Sequence, residues 1–336
     1  MNRRRLLTLT ASAAALAACA PVIQQAGLPD GAFAGPRLED DVFVSFDGAR
    51  LGLQRWMPEG EPWAVVIGLH GMNDYSQAFH LAGAWWAKQG IATYAYDQRG
   101  FGRSPQRGVW GGELMLEDLK VCAALARARH PTAIIAVCGV SMGGAVALAA
   151  TASDRPPDID RLVLSAPAVW GWSRQPLPNR TSLWFLAHVA GGKVIEPPNW
   201  LTRKITPTDN RDELIRMSRD PQMIWGARTD AIYGLVGMME LGYRSVGKTS
   251  VPTAFLYGAH DQIIPKNAAF PAAQNLKSTD ISAYYPDGYH LLLVDHAAER
   301  VWGDIAAFLR SPTAPLPSAP ARIPARVSRP AAARKG

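Results

Sequence analysis

The sequence predicts an α/β fold: a mostly parallel central sheet flanked by helices, with a helical insertion in its second half. Three observations point to this. Apolar runs of four to six residues recur without polar alternation (Ala64–Leu69, Ile91–Tyr96, Ile134–Gly139, Leu162–Ser165, Thr253–Gly258), as expected of strands buried on both faces. Helical patterns separate those runs, the arrangement that right-handed strand–helix–strand crossovers require. One run, Ile134–Cys138, passes through Gly139-Val140-Ser141-Met142-Gly143 straight into an Ala-rich helical stretch.

Taken in chain order, Val42–Phe46 and Leu51–Trp56 flank Asp47-Gly48 and read as a hairpin. A helix over roughly Ser76–Gln89 follows the first buried strand and stops at Gly90. A second helix, around Glu113–Arg129, follows the next, and Gly143–Thr151 forms a third. The alternation then lapses over residues 167–250, which hold five of the 11 Trp (Trp170, Trp172, Trp184, Trp200, Trp225) with Phe185, Met217, Met223, Met238 and Met239. A structureless loop of that length is not expected in a compact domain, so this interval reads as a helical insertion on the sheet. Its aromatics either form the insertion's own small core or face a substrate cavity. The domain proper spans 41–310.

The two ends read differently. Residues 1–19 run from Arg3-Arg4-Arg5 through the apolar stretch Leu6–Ala18 to Cys19, the layout of a secretory signal. Leu16-Ala17-Ala18-Cys19 resembles a bacterial lipobox, which implies cleavage before Cys19 and lipidation of its thiol. The Arg run is also similar to a twin-arginine signal; plain cleavage near Ala20 is the alternative. No segment reaches the ~18 consecutive apolar residues of a transmembrane helix. The expected location is therefore the bacterial periplasm or envelope, through an anchor. Residues 20–40, rich in Ala, Gly and Pro, read as a linker, and residues 311–336, made of Pro, Ala, Ser and Arg, as a disordered tail.

Those ends also explain the charge. The formal balance of +7 includes Arg3, Arg4 and Arg5 and, in the tail, Arg322, Arg326, Arg329, Arg334 and Lys335. Without these eight the remainder stands at −1, so the basic composition gives no argument for nucleic acid. Cys122 and Cys138 read as buried free thiols, with a bridge permitted in an oxidising compartment. Neither has the ligand spacing of a metal site, and no cofactor is expected.

The strand–turn–helix setting makes Ser141 the candidate nucleophile, its flanking glycines relieving a sharp bend. A serine needs a base held by a third group, and in this topology the order is Ser, acid, His. Asp261 follows the fifth strand in Tyr257-Gly258-Ala259-His260-Asp261. His290 sits in the loop Pro286-Asp287-Gly288-Tyr289-His290, after the apolar segment Ile281–Tyr285. Asp287 is the rival acid, too close in sequence to reach the ring's far nitrogen. His296 opens the last helical pattern, and His260 precedes the acid. Oxyanion donors are expected from Met142 N–H and from Met72 N–H in the loop Leu69-His70-Gly71-Met72-Asn73-Asp74. His70 reads as a support for that loop, Asp97 and Arg99 as braces for the next.

The set His70-Gly71, Asp97-Gln98-Arg99-Gly100-Phe101-Gly102-Arg103-Ser104, Gly139–Gly144, Leu164-Ser165-Ala166-Pro167, Gly258-Ala259-His260-Asp261 and Gly288-Tyr289-His290 resembles the monoacylglycerol lipase and lysophospholipase branch of the α/β hydrolases over roughly residues 40–310. The resemblance implies catalytic roles for Ser141, Asp261 and His290, an oxyanion hole from Met72 and Met142, and an insertion that serves as a lid. Phe101 stands where these lipases usually carry His. The activity implied is hydrolysis of monoacylglycerol- or lysophospholipid-like esters through an acyl-enzyme. A proline-type aminopeptidase or amidase on the same fold is the alternative, and a non-catalytic ligand-binding lipoprotein another.

Overall fold

The computed structural model describes residues 20–326, apart from 30, 32, 197–199 and 201–203. The signal segment, Cys19 and residues 327–336 therefore lie outside the described residues. The sheet is built from β1 (Arg37–Leu38), β2 (Val42–Val44), β3 (Arg50–Trp56), β4 (Ala64–Leu69), β5 (Ile91–Tyr96), β6 (Ile134–Val140), β7 (Arg161–Ser165), β10 (Thr253–Gly258) and β11 (Ile281–Tyr285), while β8 (Val194–Ile195) and β9 (Ala227–Arg228) form a separate ribbon. Its order is β1-β2-β3-β5-β4-β6-β7-β10-β11. β1 to β3 are antiparallel to their neighbours, and β5, β4, β6, β7, β10 and β11 run parallel to one another.

Helices α1 (His80–Lys88), α2 (Leu114–Arg129), α3 (Met142–Thr151), α7 (Lys266–Ala273) and α8 (Ala298–Arg310) cover the sheet, and α4 (Leu177–Val189), α5 (Arg211–Arg219) and α6 (Thr229–Ser245) belong to the insertion. Strand residues alternate between two apolar layers, since successive side chains point to opposite faces. Val65, Ile67 and Leu69 of β4 join the layer that contains α2, α3 and part of α6. Ala64 and Val66 join the layer of α1 and α8. Cys122 and Cys138 are both buried and free. They lie in opposite layers, which leaves no route to a bridge.

The hairpin at Asp47-Gly48 forms, with Gly48 in the left-handed region at φ 79°. The helix expected from Ser76 begins as a 3-10 turn, Ser76–Phe79, before α1, and Gly90 ends it at φ 79°.

Two readings of the ends are corrected. Residues 20–29 do not form a free linker. Ile23 pairs with Trp110 as an isolated parallel bridge. Gln24, 4% exposed, accepts its place through its side-chain amide, whose Nε2 donates to Val109 O at 2.9 Å. Gly27 N donates to Asp47 Oδ2 at 2.9 Å. The stretch 311–326 is likewise docked rather than disordered. Tyr284 N donates to Ala321 O at 2.7 Å, Ile323 N to Ser282 Oγ at 3.2 Å, and Leu316 and Ile323 are buried. In both cases a few apolar or amide side chains found partners distant in sequence, which composition cannot reveal.

Candidate active site

β6 ends at Val140 and α3 begins at Met142, so a single residue, Ser141, makes the turn. Its backbone sits at φ 50°, ψ −115°, a region that costs a non-glycine residue roughly 1–3 kcal/mol. The surroundings hold it there. Ser141 N donates to Ser165 O at 3.0 Å, and Ser141 O accepts from Gly144 N at 2.9 Å and Ala168 N at 2.9 Å. The glycines are required by close approach. A Cβ at Gly139 would lie 2.6 Å from Gly143 O, and one at Gly143 would lie 2.2 Å from Leu69 O. With the α3 N-terminus directly after it, Ser141 stands beside free backbone donors and the positive end of a helix dipole.

Asp261 and His290 come from the carboxyl ends of adjacent parallel strands, where open α/β sheets place their ligand sites. β10 and β11 end in register at Gly258 and Tyr285. Their loops are tied together: Ala259 N donates to Tyr285 O at 2.8 Å and His260 N to Gly288 O at 2.9 Å. Asp261 Oδ2 lies 2.9 Å from His290 Nδ1. Its other oxygen, Oδ1, accepts from Ile263 N at 2.8 Å and Ile264 N at 2.9 Å. Both side chains are buried. A carboxylate on Nδ1 fixes the proton there and leaves Nε2 as the basic nitrogen.

Among the described residues no hydrogen bond joins the Ser141 hydroxyl to His290. Instead their neighbours, Val140 and Leu291, line one small cavity together with Asp74, Arg216 and Met217. The rival acid Asp287 is exposed and faces Arg300 at 3.6 Å. His260 stacks on Tyr289 with ring centroids 5.0 Å apart, and His296 N donates to Asp209 Oδ1 at the surface.

The loop after β4 passes so close to the turn that a Cβ at Gly71 would lie 3.3 Å from Ser141 Cβ. Among the described residues neither Met72 N nor Met142 N donates to another protein group. His70 is fully buried and supports this loop: Nδ1 donates to Gly71 O at 2.7 Å, and Nε2 accepts from Gln98 N at 2.8 Å. Burial pushes its imidazole down to about 4. Phe101 packs edge-on against this ring, centroids 5.5 Å apart. Asp97 and Arg99 brace the neighbouring loop. Asp97 accepts from Ser76 N at 2.9 Å and Arg103 N at 2.9 Å, while Arg99 spans Asp47 at 2.8 Å and Asp118 at 2.7 Å, all buried.

Two acids near the site carry no sequence signal, because only their burial distinguishes them. Asp74 lines the small cavity, and burial pushes its carboxyl up to about 7. Asp295 accepts from Tyr289 N at 2.8 Å, pinning the residue before His290, and burial raises it to about 6.

The insertion sits over this edge. Ile224 N donates to Asn73 O at 3.0 Å, and Tyr75 OH donates to Asp220 Oδ2 at 2.6 Å. Val236, Met238 and Met239 of α6 join the main core. A Cβ at Gly242 would lie 2.9 Å from Ala145 Cα, which shows how closely α6 lies on α3. The aromatics do not form a separate core: Trp170 and Trp172 pack on the main one, whereas Trp184, Trp200 and Trp225 are exposed. Among the described residues no cluster of His, Cys, Asp or Glu could hold a metal.

Comparison with known proteins adds the family. The sequence profile of the family described as serine aminopeptidase, S33, matches residues 60–297. A monoacylglycerol lipase of Mycolicibacterium smegmatis is 25% identical over 286 residues, covering 80% of this chain and 96% of that protein. The structure superposes on a soluble variant of the Saccharomyces cerevisiae monoglyceride lipase with a TM-score of 0.64 at 17% identity, covering 86% of this chain and 99% of that one. A thermostable carboxyl esterase from Bacillus coagulans gives a TM-score of 0.65 at 21% identity, covering 81% and 97%. The chain belongs to the serine aminopeptidase S33 family of α/β hydrolases, in the branch that resembles the monoacylglycerol lipases.

Proposed function

We propose that this protein is a serine carboxylic ester hydrolase acting on monoacylglycerol- or lysophospholipid-like acyl esters, with Ser141, His290 and Asp261 as its triad. An ester hydrolase is what the family match supports together with the lipase and esterase relatives. The observation that carries the residue roles is the buried Asp261–His290 hydrogen bond at the sheet edge where Ser141 occupies its strained turn. Triads are commonly loose before substrate binds, so an unmade Ser–His bond leaves the assignment open to direct test.

In this reaction Ser141 Oγ attacks the ester carbonyl carbon while His290 Nε2 takes the hydroxyl proton. Asp261 holds the ring and stabilises the imidazolium. The tetrahedral oxyanion accepts from Met72 N–H and Met142 N–H. Collapse breaks the C–O bond, and His290 returns its proton to the leaving alcohol. Water then repeats the attack, His290 again accepting a proton, and the fatty acid leaves as Ser141 recovers its own.

Export, and tethering to the bacterial envelope through a lipidated Cys19, complete the proposal; the sequence Leu16–Cys19 supports them. The family description favours one second reading, an aminopeptidase. Purified protein assayed on p-nitrophenyl esters of graded chain length, monoacylglycerols and proline arylamides separates the two. Higher kcat/KM on the esters is expected, and preference for the amides overturns the proposal.

A further inference from the structure

A short piece of the insertion, Thr206-Pro207-Thr208-Asp209-Asn210, grips the loops that carry Asp261 and His290. Thr206 N donates to Gln262 Oε1 at 2.8 Å, on the residue after Asp261. Pro207 O accepts from Leu291 N at 2.9 Å, on the residue after His290. Asp209 Oδ1 accepts from His296 N at 2.8 Å, and Asn210 Nδ2 donates to Val294 O at 3.0 Å. The local sequence suits this task. A proline fixes its own φ and drives the residue before it into extended backbone, which leaves a stiff segment with its carbonyl presented.

His290 is thereby held on both sides. Tyr289 N donates to Asp295 Oδ2 at 2.8 Å and Leu291 N to Pro207 O, so the peptide groups flanking the histidine have fixed partners. Asp295 and Thr208 are both buried. Burial raises the Asp295 carboxyl, and the Tyr289 N–H and the Thr208 hydroxyl oppose that rise. Helix α5 carries the hold further. Asn210 Oδ1 caps it by accepting from Glu213 N at 3.3 Å, and Glu213 Oε1 lies 3.2 Å from His80 Nε2. Past its last turn, Asp220 Oδ2 accepts from Tyr75 OH and Ile224 N donates to Asn73 O. One stretch of the insertion therefore reaches the acid loop, the base loop and the loop of Met72.

We propose that Asp295 and Asn210 are positioning residues for His290, Asp295 holding the peptide before it and Asn210 the turn after it, where Val294 N donates to Leu291 O at 2.9 Å. The seating of α5 then sets the aim of the imidazole. This rests on the triad reading, in which His290 Nε2 is the base. The Asp261 carboxylate fixes Nδ1 at 2.9 Å, but one hydrogen bond lets a ring swing about its acceptor, and the backbone decides where the other nitrogen points. A misplacement of about 1 Å can cost about 10²-fold in rate. Both residues act through the backbone, and neither takes part in proton transfer.

Asn210→Ser separates the tie from the helix cap. Serine caps about as well as asparagine, so it can still accept from Glu213 N, but it has no amide to reach Val294 O. On a p-nitrophenyl ester its kcat should fall about 10–100-fold, with KM within about twofold and the melting temperature unchanged. Asp295→Ala should lose as much, and Asp295→Asn, whose Oδ1 still accepts from Tyr289 N, should recover most of it. Wild-type kcat in Asn210→Ser, equal kcat in the two Asp295 variants, or losses that only track a fall in melting temperature would each overturn the proposal. Exchange of the His290 Nδ1 proton with water, followed by NMR on protein with isotope-labelled histidine, reads the hold without turnover. It should quicken about tenfold in Asn210→Ser and Asp295→Ala but not in Asp295→Asn. Wild-type protein that turns over no ester yet shows these exchange rates sinks the hydrolase reading alone. An active wild type whose proton exchange none of the substitutions alters sinks the positioning role alone.

Discussion

Asp261 uses both carboxylate oxygens, one on His290 Nδ1 at 2.9 Å and the other on the N–H groups of Ile263 and Ile264. The carboxylate is therefore fixed by its own loop before it orients the ring. Asp261→Asn keeps the volume and can keep the backbone contacts, but its amide no longer demands a proton on Nδ1. Ester kcat should fall by about 10³–10⁴-fold with little change in KM or melting temperature. A loss below tenfold would show that another group orients His290.

Gly143 touches the strand beside it, and an alanine Cβ would sit 2.2 Å from the Leu69 carbonyl oxygen. Gly143→Ala must move β4, β6 or the start of α3, all buried. We expect a stability loss of at least about 2 kcal/mol by denaturant melting, together with loss of ester turnover. An active variant of unchanged stability would mean that the turn is not packed as described.

Asp74 is buried, and its carboxyl is pushed up to about 7, chiefly by that burial. A folded pKa above the unfolded one gives stability that is present at low pH and lost as pH rises through the folded value. Asp74→Asn removes that loss while Asn Oδ1 can still accept from Tyr75 N. The variant should match the wild type near pH 4, gain on it as pH rises to about 7, and stay about 2–4 kcal/mol ahead above that. His70 works in the other direction. Held neutral down to about 4, it contributes stability that is lost as pH falls below its unfolded value of 6.5. The comparison is therefore between variant and wild type at each pH, and a difference that does not vary with pH contradicts the burial of an acid at 74.

Gln24 ties the N-terminal strap down through its side chain, Nε2 donating to Val109 O at 2.9 Å in a partly buried hydrogen bond. Gln24→Ala leaves that carbonyl short of a donor and should cost about 1–3 kcal/mol in urea unfolding. A free linker, as composition alone implied, would give no change.

The parts of the molecule legible in sequence were those whose causes are local. Unalternating apolar runs marked β4 to β7 and β10, and Gly139, Ser141 and Gly143 marked the turn because a sharp bend needs missing side chains. Chain order brought forward Asp261 and His290, which the structure joins by a hydrogen bond. The strap failed because Ile23 and Gln24 are satisfied by residues about 85 positions away, and the tail failed because Ile323 depends on Ser282. Asp74 and Asp295 were invisible for a related reason: an acid's burial is a property of the assembled fold. Sequence left open whether the insertion's aromatics form a core of their own or face a cavity, and the exposure of Trp184 and Phe185 was not legible because hydrophobic composition does not say which face is covered.

The account rests on Ser141 being the group that His290 activates, and covalent labelling reads this directly. A fluorophosphonate probe followed by peptide mass mapping should place one adduct on Ser141, none in Ser141→Ala, and an adduct formed at least about 100-fold more slowly in His290→Ala. An adduct on another residue, or an unchanged rate without His290, would contradict it.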